Sequence, residues 1–107
     1  MFLIALAAAA AQPKAKIPSY PQAIRCAGLM EAGLSGKDPV SGEGRRLFDA
    51  ALYWGLAASD IGRRAHVTSA RFKADQVTAR TAAAADLGAG RAGAEFADCL
   101  RRVPPLK

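Results

Sequence analysis

One histidine, two cysteines, one tryptophan and no apolar run of membrane-spanning length leave this 107-residue chain with little equipment for chemistry. The single histidine, His66, falls between two helical segments. A general base needs a positioned nucleophile or acid, and only Ser69 and Asp60 lie near it in sequence, so His66 reads as an ordinary loop residue. The acids Asp75, Asp86, Glu95 and Asp98 are spread over two helices without metal-site spacing. The loop GKDPVSGEG holds glycine and lysine but lacks the GxxxxGK[ST] order of a phosphate loop. The longest apolar stretch, Phe2 to Ala11, is half of the ~20 residues that a helix needs to span a bilayer. No enzyme, metal site, cofactor or transmembrane segment is expected.

What is present points outward from the cytosol. Cys26 and Cys99 are too far apart for a CxxC redox pair or a metal cluster, and they follow an apolar N-terminus. Phe2 to Ala11 has the character of a signal-peptide core, and Ala9 to Ala11 offer small residues for cleavage, with a second position after Ala15. No Lys or Arg precedes it, which on this reading puts the basic region upstream of Met1. The competing reading is an apolar helix end of a cytosolic protein. Disulfides persist mainly in oxidising compartments, so a secreted or periplasmic protein with a Cys26–Cys99 disulfide is expected. Closing so long a loop stabilises a small domain by about 4 kcal/mol in the chain-entropy description. Residues 1–15 read as a signal-peptide-like segment with the start of a linker, and residues 16–107 as a single helical domain.

The net charge is +6. Such a balance fits an anionic partner, but the arginines are scattered, with doublets only at Arg45-Arg46, Arg63-Arg64 and Arg101-Arg102. Aromatic residues are not interleaved with them for base stacking. Weak, non-specific anion binding is the expectation.

Beyond the linker QPKAKIP at residues 12–18, the periodicity predicts four helices and no strand. The first runs from about Ser19 to Gly33 with Ser19 as N-cap and a stripe of Ala23, Cys26, Ala27, Met30 and Leu34. The second, from about Glu43 to Arg64, carries Leu47, Ala51, Trp54, Ala58 and Ile61 on one face. Phe48, Leu52 and Gly55 widen that face into an arc broad enough for more than one neighbour. The third runs from Thr68, its N-cap, to Leu87, with Phe72, Gln76, Ala79, Ala83 and Leu87 inward and Gly88 in the C′ position. The fourth runs from about Arg91 to Arg102, with Ala92, Phe96, Cys99 and Val103 inward, and Pro104-Pro105 stop it. Both cysteines face the core. The turns after the second and third helices are short, which predicts antiparallel packing of each consecutive pair. The whole is expected to be an all-α, small four-helix bundle.

Two resemblances follow from particular residues. Leu87-Gly88, Gly90, Ala94, Phe96, Leu100 and Pro104 resemble part of a tetratricopeptide helical hairpin, over about a fifth of the chain. A leader, a cysteine in the first helix, Trp54-Gly55 in a long second helix and a cysteine before a final proline make residues 20–105 resemble small exported all-helical bacterial proteins with one cysteine pair. The second resemblance implies no particular activity. The function expected is therefore a non-enzymatic accessory or interaction role with an unidentified protein or envelope component. Trp54 lies on the apolar face and is expected in the core. The alternative is a ring flooring a groove rimmed by Arg63 and Arg64, a possible binding surface. The competing function is a cytosolic nucleic-acid binder built on a helix-turn-helix over residues 43–87. Nucleic acid is disfavoured, because the third helix offers only Arg71, Lys73 and Arg80 outward.

Overall fold

The structure, a computed structural model, describes residues 17–105. The signal-like segment at residues 1–15 lies outside the described residues. The rest is all-helical: α1 (Tyr20–Leu34), α2 (Gly42–Arg64), α3 (Ser69–Gly88) and α4 (Gly93–Arg101) form a small four-helix bundle.

Local chemistry sets the boundaries. The Ser19 hydroxyl accepts from the Gln22 amide at 3.2 Å, and the Ser19 amide donates to Gln22 Oε1 at 2.9 Å, a reciprocal capping box. Ser41 caps α2 by accepting from the Gly44 amide at 2.9 Å, and Thr68 caps α3 by accepting from Arg71 at 3.1 Å. The C-terminal ends of α2 and α3 share one device. Val67 donates to the Gly62 carbonyl and His66 to that of Arg63; Arg91 donates to the Asp86 carbonyl and Gly90 to that of Leu87. Both are Schellman closures, with a left-handed residue at C′: His66 at φ 65° and Gly90 at φ 75°. Gly90, not Gly88, thus takes the C′ place. The same closure uses Arg91, so α4 begins only at Gly93. At the end of α1, Gly33 does not terminate the helix but lies within it, under the Phe96 ring of α4.

The packing differs from a ring of consecutive pairs. Five successive residues of α1, Cys26 to Met30, are buried. Five residues cover more than one helical turn, so α1 is enclosed on every side along this stretch. It is the hub: α2 and α3 each pack along it, α4 packs on its Cys26 side, and every other helix pair touches only marginally. The short turns place α2 beside α3 and α3 beside α4 in sequence only. Neither pair forms the expected antiparallel contact, and the tetratricopeptide-like hairpin is absent for the same reason. Tyr20 lies against Gly62 at the far end of α2 and stacks obliquely on Phe72 at the near end of α3, 6.5 Å between ring centroids. α2 therefore runs antiparallel to α1, and α3 runs with it.

Small residues permit this. A Cβ built on Gly28 would come 2.7 Å from the Ala79 carbonyl oxygen, so α3 approaches α1 as closely as glycine allows. Gly55 faces open space instead and brings no helix close. Six of the twelve fully buried apolar residues described are alanines, which leaves the bulk of the core to Trp54, Leu29, Met30 and Leu47.

Candidate functional site

The two cysteines join the hub to the last helix. Cys26 and Cys99 have sulfurs at disulfide-bonding distance, 2.06 Å, and both are buried. Trp54 sits beside them. Its indole N–H donates to the Cys99 carbonyl at 3.0 Å, and the Arg102 guanidinium lies 5.4 Å from the ring centroid. At 1% exposure, Trp54 is core and floors no surface groove. Arg63 and Arg64 stand nine and ten residues further along α2, ~14–15 Å away. Both are bound to Asp60, at 3.0 and 3.3 Å, at a helix end where cations are favoured. The structure does not bring Trp54, Arg63 and Arg64 together.

Most of the remaining charge is internally matched. Arg25 forks onto Glu95 and reaches Asp86, 2.9 Å to each carboxylate, and Arg91 holds the other oxygen of Asp86 at 2.9 Å. Arg91 and then Arg25 pull the Asp86 carboxyl below its usual range, and Arg25 does the same to Glu95. This cluster fastens α1, the end of α3 and α4. Arg71 pairs with Asp75, Arg80 with Glu31, and Arg101 and Arg102 with Asp98. Eight of the ten arginines thus pair with six carboxylates; among the described residues Arg45 and Arg46, on the first turns of α2, have no such partner. His66 is exposed at its helix end, and no group of three or more His, Cys, Asp or Glu residues converges among the described residues.

Arg45 and Arg46 border an open groove of about 960 Å³ between α2 and the α4–tail segment, with Leu100, Val103, Pro104 and Pro105 along its apolar side. Across Arg45 and Asp49 lies a second depression lined by Leu34, Pro39 and Phe48. Phe48, Leu52 and Leu56, four residues apart, continue along the outside of α2 at 52%, 51% and 70% exposure, and Val40 lies exposed in the preceding loop. The apolar arc of α2 therefore does not pack against a second neighbour. α1 takes only the face of Leu47, Ala50, Trp54 and Ala58, and the other flank is left to solvent.

That basic-apolar face is the candidate site. Sequence reasoning missed it because the pattern shows that an arginine is present, not whether an acid reaches it. No family model matches the chain, and no curated protein or solved structure matches it. Among the described residues, no helix is long and apolar enough to cross a membrane.

Proposed function

We propose that this is a small secreted or periplasmic helical protein with a non-enzymatic accessory role at the cell envelope, acting through the outward face of α2. One observation carries the reading. Phe48, Leu52 and Leu56 lie exposed on one side of a helix whose opposite side already completes the core, so their apolarity has no use within the fold. The buried cysteine pair supports export, because such bonds persist outside the cytosol. The nucleic-acid alternative gains nothing from the charge pattern. On α3, Arg71 and Arg80 are spent on Asp75 and Glu31, which leaves Lys73.

Cell fractionation with intact-mass analysis tests this. The protein should be recovered outside the cytosol, two hydrogens lighter than its reduced form and associated with the envelope. The Leu52→Ser/Leu56→Ser variant should be released from that fraction. A cytosolic protein with both thiols free refutes the reading.

A further inference from the structure

We infer that the outward face of α2 docks on an anionic lipid surface, with Phe48, Leu52 and Leu56 entering the headgroup boundary and Arg45 and Arg46 meeting the phosphates. This rests on the reading of that face as the interaction surface and names its partner. Two independent observations meet on one helix. The first is the exposed apolar row, ~12 Å long from Phe48 to Leu56 at 1.5 Å per residue. The second is that, among the described residues, the two arginines without an acid partner stand on the first turns of the same helix. Arg45 precedes Leu52 by seven residues, two helical turns, and so lies on nearly the same line of the helix surface, while Arg46 stands about 120° round the helix, at the groove facing α4. A helix that lies in an interface shows this combination: apolar side chains on one side, with cations beside them at headgroup level.

The charge selects among occupants. A second copy would bring together two molecules of net charge +6, each with the same unpaired arginines at the contact. An anionic bilayer offers many phosphates at once and an apolar layer just beneath them. Lipid is therefore favoured over self-association. Asp60, which flanks the row at its other end, is neutralised by Arg63 and Arg64. Asp49, beside Arg45 and without a cation partner among the described residues, opposes the docking, and its removal is a gain-of-function test.

The test is flotation of the oxidised protein, as isolated from cells, with vesicles of phosphatidylcholine alone or with about one third phosphatidylglycerol. Binding to the anionic vesicles should be at least ten-fold tighter. The Leu52→Ser/Leu56→Ser variant should lose about ten-fold at unchanged helicity. Arg45→Gln/Arg46→Gln should lose about thirty-fold, from ~1 kcal/mol per cation at an anionic surface. Arg63→Gln/Arg64→Gln removes the same formal charge from a pair that shares the Asp60 carboxylate at the far end of α2, and should lose less. Asp49→Asn should tighten binding about five-fold on the same scale. Equal binding to both vesicle types, or equal losses for the two arginine pairs, overturns the inference. So does a dimer in sedimentation that Leu56→Ser disperses in the absence of vesicle binding. Should vesicles fail while envelope retention in cells still depends on Leu52 and Leu56, the lipid inference falls and the interaction reading stands. Loss of that dependence as well removes both.

Discussion

The same substitution at two glycines should change stability in opposite directions. Gly28 and Gly55 are both inside helices, so replacement by alanine removes the same entropic handicap, ~0.8–1 kcal/mol in favour of alanine. Their surroundings differ. A Cβ at Gly55 meets nothing within 4 Å. Gly55→Ala should therefore stabilise by close to the full propensity gain, which in a domain of this size raises the melting temperature by about 4–8 °C. A Cβ at Gly28 would stand 2.7 Å from the Ala79 carbonyl oxygen and 2.8 Å from its carbon. Both are backbone atoms, which cannot turn aside as a side chain can, so α3 must be displaced from α1. Overpacking of this kind costs about 1–3 kcal/mol. Against the propensity gain the net is a loss of about 1 kcal/mol, and the two variants should differ by about 2 kcal/mol. Urea unfolding followed by far-ultraviolet circular dichroism, with the disulfide intact throughout, reads this as opposite shifts of the midpoint at an unchanged slope. Equal stabilisation by both variants would refute the close approach of α3 to α1, and with it the placing of α1 as the hub.

Trp54→Ala should cost about 3–5 kcal/mol, and Trp54→Phe less, since it keeps a ring but leaves the Cys99 carbonyl without its donor. Trp54 is the only tryptophan, so both variants must be followed by circular dichroism rather than fluorescence, and parental melting by either contradicts its burial. Reduction, or Cys26→Ser, opens a loop of 73 residues and should cost about 4 kcal/mol, read as a lowered denaturant midpoint. His66→Gly removes the strain of a left-handed non-glycine residue and should stabilise by about 1 kcal/mol, whereas a loss would show that the histidine ring has a partner of its own. Burial and the hydrogen bond to Asp75, 2.9 Å away, push the Tyr20 phenol from 10.0 up to about 12. A raised folded-state value means the contribution of Tyr20 is complete below pH 10 and disappears between pH 10 and 12. Tyr20→Phe should lose stability less steeply across that window, and identical slopes would show that the phenol does not titrate with folding.

Much of the fold is legible because its determinants are local. Ser19, Ser41 and Thr68 are adjacent to the amides they cap, and a 3.6-residue period puts Ala23, Cys26 and Met30, then Trp54 and Ala58, on faces that must be covered. What is not legible is how many faces of one helix are covered. The stripe of α1 omits Gly28 and Leu29, which are buried because α2 and α3 enclose α1 together. The arc of α2 is read too generously for the converse reason: apolarity at Phe48 and Leu52 is taken as evidence of a neighbour, whereas α1 and the Cys99 end of α4 both meet α2 on its other side. Short turns mislead similarly. They limit how far consecutive helices can separate, but which surfaces meet depends on side-chain size, and the glycine and alanines at the α1–α3 contact decide it.

The site is harder to read than the fold for a physical reason that these arginines make plain. Arg63 and Arg64 look exposed and available in sequence, yet Asp60, three and four residues back, answers both. Arg45 and Arg46 form an equal doublet, with Asp49 at the same helical spacing in the opposite order, and no pair forms. At i, i+4, acid before base is the favoured direction, since the cation then lies nearer the negative end of the helix dipole, although the preference is small enough that Arg71 and Asp75 on α3 pair in the reverse order. Along α2 the acid-first group is paired and the base-first group is not, a bias of order that composition does not show. Arg25, Arg80 and Arg91 are matched by acids that only tertiary packing or a turn brings near. An unmatched cation is therefore identified by subtraction, after every acid within reach has been assigned, and among the described residues the subtraction leaves the two arginines at the start of the helix that carries the exposed apolar row.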